Sequence, residues 1–178
     1  RSFIWGPVEV AQLLVDIETT AAAFEPDDSA DREGFFLGDI IVSNGPCWAP
    51  DGRTFYFTDS WSGQISAYDY DLDTGAIANK RTFARMDYPG GAFDGATVDA
   101  EGGVWSAIVY VGKLIRYAPD GRVDRVIDMP VKKVTSVNFG GPNLDILYVT
   151  SMARPFNCRP RQEREAGGLF AVHGLGVR

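Results

Sequence analysis

Thr54–Tyr70 reads TFYFTDSWSGQISAYDY, and fifty residues on Val104–Tyr117 reads VWSAIVYVGKLIRY. Each stretch holds a short run of β-branched and aromatic residues, a turn ending in glycine, and a second short run closing on tyrosine. Such residues suit a pleated, half-buried surface. Around them the punctuation also repeats. Pro50-Asp51-Gly52, Asp73-Thr74-Gly75 and Pro119-Asp120-Gly121 are turn sequences: proline presets φ, aspartate bonds the local backbone, glycine accepts positive φ. Arg81–Ala84 resumes an extended pattern, and Val123–Met129 does the same after the later turn. A looser third copy runs from the Gly140-Gly141-Pro142-Asn143 turn through Ile146–Thr150 (ILYVT) to Gly167-Gly168 and Leu169–Val172 (LFAV).

The spacing between copies is regular. Gly63 to Gly112 is 49 residues, Phe55 to Val104 is 49, and Asn44 to Asp94 is 50. In the third copy Val104 to Ile146 is 42 and Gly112 to Gly168 is 56, which places an insertion near residues 152–166. A period of about 40–50 residues with about four strands per unit is the pattern of a β-propeller blade. An antiparallel sandwich with coincident turns is the alternative, and the shared spacing favours the propeller. Two and a half to four blades are readable, whereas a closed ring takes about 4–8. The chain is therefore expected to be an all-β, incomplete propeller over residues 39–178. Residues 1–38, with the ambiguous run Val8–Ile17 and the acidic stretch Glu18–Gly34, are expected to be a remnant of a first blade followed by a solvated acidic loop, in preference to an acidic metal site.

Composition narrows the function. The 178 residues carry 17 Lys+Arg against 24 Asp+Glu, a net charge of −7, a poor basis for binding nucleic acid, whose affinity comes from cationic side chains displacing counterions. With 45% hydrophobic residues there is apolar area to drive folding. No apolar run nears the ~20 residues that cross a bilayer, and Arg1–Pro7 lacks a signal-peptide layout; a cytoplasmic location without membrane contact is the expectation. Two cysteines, Cys47 and Cys158, make neither a disulfide scaffold nor a zinc cluster. His173 is the single histidine, so hydrolytic chemistry here falls to carboxylates, amides and a hard cation.

Asn44 and Asp94 are the pair with chemical promise. Both precede glycine at corresponding points of successive repeats, and corresponding points at the inner mouth of neighbouring blades converge on the central channel. An amide oxygen and a carboxylate aimed together suit calcium or magnesium; from spacing alone, ordinary Asn-Gly and Asp-Gly turns are the favoured reading. Thr135 and Ser136 fall 41 and 42 residues past Asp94, where a hydroxyl can meet a polar substrate or cap a strand. Asp59-Ser60 is placed to face the same mouth, although an aspartate after a strand is expected to be solvated. Asp69-x-Asp71-x-Asp73-x-Gly75 has the outline of a calcium loop without the closing bidentate glutamate and reads as a hairpin turn. Cys47, beside Trp48, is expected to be buried and inert. Cys158 lies among arginines with no partner base, and His173 reads as a surface or core residue.

These stretches resemble the regucalcin/gluconolactonase/luciferin-regenerating-enzyme family of six-bladed propellers. The likeness runs in order through SNGPCWAPDGRTFYFTDS (Ser43–Ser60), ISAYDYDLDTGAIANKRTFA (Ile65–Ala84), FDGATVDAEGGVWSA (Phe93–Ala107), KLIRYAPDG (Lys113–Gly121), MPVKKVTSVNFGGPNLDILYVTSMAR (Met129–Arg154) and EAGGLFAVHGLGV (Glu165–Val177). The resemblance implies a metal-dependent hydrolase that opens sugar lactones to aldonic acids. It implies one divalent cation, Ca2+ or Zn2+ with Mg2+ or Mn2+ as further options, held by Asn44 and Asp94. Asp94 would also be the catalytic acid or base, and Thr135 or Ser136 would meet the sugar. A non-catalytic calcium-binding or degenerate propeller is the alternative. The family's first-blade motif, Gly-Glu-Gly-Pro-x-Trp, has its nearest counterpart in Ile4-Trp5-Gly6-Pro7-Val8-Glu9; Trp5 takes the place of the metal-binding glutamate and Glu9 is out of register. About two blades are expected to be missing between Ile17 and Ser43. A fragment of a longer protein, or self-association to complete the ring, follows as an expectation.

Overall fold

The computed structural model describes residues 40–153 and 163–178. The expectations placed on residues 1–38, including Trp5 and Glu9, and on Cys158 lie outside the described residues. Among the described residues every regular element is a β-strand, and no helix is long and apolar enough to cross a membrane.

Among the described residues eleven strands form three antiparallel sheets. The first contains β1 (Ser43–Trp48), β2 (Thr54–Asp59), β3 (Gln64–Tyr70) and β4 (Ile77–Arg85) in sequence order. The second repeats that order with β5 (Ala92–Val98), β6 (Val104–Val109), β7 (Lys113–Tyr117) and β8 (Val123–Asp128). The third has β9 (Val134–Gly140), β10 (Ile146–Ser151) and β11 (Leu169–Val172). Each sheet is a meander whose neighbours in sequence are neighbours in space, as short tight turns require.

The middle sheet decides between propeller and sandwich. All six residues of β6 are buried, and its alternation sends them to two different cores. Val104 and Ile108 pack with Cys47, Tyr56, Ile65 and Phe93; Trp105 and Ala107 pack with Val134, Val137, Leu147 and Val149. β7 divides in the same way, Ile115 to the first core and Leu114 to the second. A sheet covered on both faces by other sheets is a blade among blades, and a two-layer sandwich has none. The innermost strands β1 and β5 touch, as do β5 and β9.

One polar cluster is buried behind the second core. Asp99, in the β5–β6 turn, accepts bonds from Gly103 N (2.9 Å), Trp105 Nε1 (2.8 Å) and Arg116 Nε (2.7 Å). Arg116 also reaches Glu101 (2.9 Å) and Asp124 (2.8 Å). Burial pushes the Asp99 carboxyl up, but the bonds from Arg116, Trp105 and Gly103 outweigh it and hold the group below its usual range. Asp99 is thus more than a turn residue; it ties the β5–β6 hairpin to β7. The Asp69–Gly75 string forms the expected hairpin turn: Asp71 Oδ1 accepts from Asp73 N (3.0 Å) and Thr74 N (2.8 Å), while Asp69 pairs with Arg81 (2.7 Å).

Candidate metal and catalytic site

Regular strands alternate their side chains toward the two neighbouring blades, so none points along the channel. A bulge re-aims a side chain, and each innermost strand has an irregularity where the candidate residues sit. The β1–β2 ladder pairs Asn44 with Thr58, then slips before Cys47 meets Tyr56. The β5–β6 ladder slips between Phe93 and Ala96, so Asp94 and Gly95 occupy the bulge. The β9–β10 ladder pairs Ser136 with Thr150 and Val134 with Ser151, leaving Thr135 out of step. Asn44, paired at the edge of one bulge, and Asp94, inside the next, are therefore strand residues, not the free turn dipeptides that their glycine neighbours suggest.

The glycines let the three strands close on one another. A Cβ on Gly45 would lie 2.9 Å from Ala96 Cβ and 2.9 Å from Thr58 Oγ1. A Cβ on Gly95 would lie 2.2 Å from Ser136 Oγ and 2.8 Å from Ser136 Cα. Both are closer than any real side chain tolerates, so β1 meets β5 and β5 meets β9 at backbone range. Beside these close approaches the strands line a cleft of about 570 Å³, with Asn44, Trp48, Thr97, Ser136 and Asn138 along it. Thr97 Oγ1 donates to Asn138 Oδ1 (3.3 Å) across the β5–β9 seam.

The Asn44 side chain lies beside the Asp94 carboxyl. Burial pushes that carboxyl up to about 6, and the neighbouring Gly95 N–H and Asn44 amide offset only part of the rise. Asn44 Nδ2 also donates to Ser60 Oγ (3.1 Å). Ser136 stands over Gly95, next to Asp94. Thr135, by contrast, bonds its hydroxyl to that of Thr150 (2.9 Å). Asp59 is not solvated as expected: it is 5% exposed and accepts from Val42 N (3.1 Å) and Ile41 N (3.2 Å). Burial raises its carboxyl, and the bonds from Val42, Ile41 and Ser62 more than reverse that. Cys47 is buried at the cleft wall, its thiol pushed up to about 12 by burial. His173 is exposed.

Among the described residues no three His, Cys, Asp or Glu gather as a metal cluster. What the site offers is one amide, one carboxylate with a raised pKa and one hydroxyl, from three successive blades. The roles of Ser60 and Asp59 were hard to read because their partners precede them by 16 to 18 residues. Asp59-Ser60 directly after TFYFT was the available signal.

Known proteins share this arrangement of strands. A profile of the SMP-30/Gluconolactonase/LRE-like region matches residues 18–153. Human regucalcin is 37% identical over 145 residues, covering 80% of this chain and 48% of its own; Xenopus laevis regucalcin is 37% identical over 141 residues, covering 78% and 47%. The structure superposes on a luciferin-regenerating enzyme with a TM-score of 0.71 at 34% identity, over 78% of this chain and 47% of that one. On regucalcin of Agrobacterium tumefaciens, described as a calcium-binding protein, the TM-score is 0.65 at 30% identity, over 75% and 46%. A Xanthomonas campestris gluconolactonase gives 0.54 at 28%, over 63% and 35%. The chain thus spans about half the length of the curated relatives it matches. With the blade order and most of its length in common with them, the chain belongs to the SMP-30/gluconolactonase/LRE-like family.

Proposed function

We propose that this chain carries part of the site of a metal-dependent lactonase, opening sugar lactones to aldonic acids. What supports the reading is the nearness of the Asn44 side chain to the Asp94 carboxylate, from adjacent innermost strands. Both are hard oxygen donors, which fit Ca2+, and Zn2+, Mg2+ or Mn2+ accept them too. Two side chains fill part of such a shell, and further positions fall to other blades, water and substrate. A cation held there supplies Lewis acidity toward the lactone carbonyl and toward water.

The chain's own residues do the rest. Asp94, at about 6, is ionised at neutral pH yet close enough to it to exchange a proton readily. As general base it takes a proton from the attacking water while the water oxygen bonds to the carbonyl carbon. The ring C–O bond then breaks, and the proton passes from Asp94 to the departing hydroxyl, leaving the open acid. Asn44 contributes a neutral oxygen, which leaves the cation's charge largely uncompensated. Ser136, over Gly95, is placed to orient the sugar hydroxyls, with the Thr135–Thr150 hydroxyl pair beside it.

A second reading, a calcium-binding protein without turnover, draws support from the Agrobacterium relative's description. Titration of calcium and zinc, with gluconolactone hydrolysis followed before and after EDTA, separates the two. Turnover that EDTA and Asp94→Ala both abolish supports the lactonase; binding without turnover supports the second reading. Hydrolysis indifferent to both treatments refutes the first.

A further inference from the structure

The ladders put Asp59 opposite Gln64 in the first blade and Ile108 opposite Lys113 in the second. Asp59-Ser60 therefore corresponds to Ile108-Val109. Both pairs are buried, but one is polar and the other apolar. The fold accepts hydrophobic residues here, and blade packing alone does not require an aspartate and a serine.

What distinguishes the first blade is where these polar atoms go. The Asp59 carboxylate takes the N–H groups of Ile41 and Val42, and Ser60 N donates to Val42 O (3.0 Å). The chain leading into β1 is thereby stitched to the end of β2, two residues before Asn44. Ser60, 7% exposed, then receives Asn44 Nδ2 at 3.1 Å. The backbone of Ile41 and Val42, just ahead of Asn44, and the side chain of Asn44 are thus held by one dipeptide.

We infer that Asp59 and Ser60 are positioning residues for the candidate cation site, Asp59 fixing the β1 lead-in and Ser60 fixing which end of the Asn44 amide is free for a cation. The inference rests on the ligand role proposed for Asn44. With Nδ2 committed to Ser60, Oδ1 is the pole left to bind. Groups that orient metal ligands typically change metal affinity by about 10–100-fold when removed.

The test uses the full chain and two readouts. Calcium chloride and zinc chloride are titrated into the native protein, Ser60→Ala, Ser60→Thr and Asp94→Ala. The side-chain amide protons of Asn44 are followed by NMR without metal. Ser60→Ala is expected to weaken cation binding about 10–100-fold and to speed exchange of the Asn44 amide protons. Ser60→Thr, which keeps the hydroxyl, is expected to restore both. Native-like binding and unchanged Asn44 exchange in Ser60→Ala, with Asp94→Ala still abolishing binding, overturns the positioning role and leaves the ligand reading standing. Native-like binding in Asp94→Ala overturns the ligand reading itself.

Discussion

Gly95→Ala tests whether β5 and β9 meet as tightly at the channel mouth as the site requires. The new Cβ would lie 2.2 Å from Ser136 Oγ, 2.6 Å from its Cβ and 2.8 Å from its Cα. Rotating Ser136 removes the first clash only; the other two involve atoms fixed by the β9 backbone, so the strands must part. Gly95 is not among the positive-φ glycines, so the cost comes from overpacking, not from the backbone angle. Overpacking of this kind costs about 1–3 kcal/mol, and for a domain of this size each kcal/mol lowers Tm by about 2–4 °C. Ser136→Gly removes the clashes with Oγ and Cβ but leaves the backbone clash in place, so the double variant should recover part of the loss, with a coupling of about 1 kcal/mol. Thermal and urea unfolding of the native protein, both single variants and the double variant measures each corner of the cycle. A Gly95→Ala protein as stable as the native one, or strictly additive single and double variants, would show that Ser136 does not stand over Gly95 and that the strands do not close on one another at the mouth.

Other expectations follow from the buried ionisable groups. The Asp94 carboxyl sits at about 6 in the fold against 3.8 in the unfolded chain, so ionisation costs stability: nothing below pH ~3.8, increasing between the two values, and about 1–2 kcal/mol above pH ~6 once solvent screening of this half-buried group is allowed for. Asp94→Asn should therefore stabilise the metal-free protein at pH 7 and leave it unchanged at pH 3, as urea titration at the two pH values will show. For the same reason calcium binding at pH 5 should release close to one proton and at pH 8 almost none; calorimetry in buffers of different ionisation enthalpy measures the difference. Arg116→Met strands Asp99 in a buried setting and should cost about 3–5 kcal/mol. Because Asp99 is held below its usual range, its contribution is present above pH ~3.8 and fades as pH falls through the lowered value, so the native and Arg116→Met proteins should converge in stability in strong acid. In a Cys158→Ser background, Cys47, pushed up to about 12, should ignore a thiol reagent at pH 8 until urea unfolds the chain.

The strands that follow the innermost one were legible and the innermost were not. TFYFT, QISAYDY, VWSAIV, KLIRY, ILYVT and LFAV all correspond to strands; the first five place buried apolar, β-branched or aromatic residues between blades, while LFAV, with none buried, is legible from its β-forming residues alone. The innermost strands SNGPCW, AFDGATV and VTSVNFG carry no such run. They contain glycine where neighbouring backbones approach, and Asn44, Asp94 and Thr135 where the ladder slips. Repeat spacing located the inner positions that local propensity hides: a 50-residue separation survives a bulge, whereas hydrophobic alternation does not. Asp99 stayed hidden for a different reason, since its partner Arg116 is 17 residues ahead and a buried ion pair leaves no local pattern.

The repetition also explains how similar blades yield an asymmetric site. At one structural position the three units place an amide, an acid and a hydroxyl, and the surroundings of the first two are opposed. Asn44 is neutral and held by the polar Asp59-Ser60 pair; Asp94 is charged and has the apolar Ile108-Val109 pair at the corresponding place. A neutral ligand gains definition from hydrogen-bond partners without altering its charge, whereas the same partners around a carboxylate would stabilise its anion and lower its basicity. Exchanging the environments would thus give a wandering amide and a weakly basic acid. A chain that repeats its backbone but varies the dipeptide ending the second strand of each blade can tune one donor for geometry and its neighbour for proton affinity, with the fold unchanged.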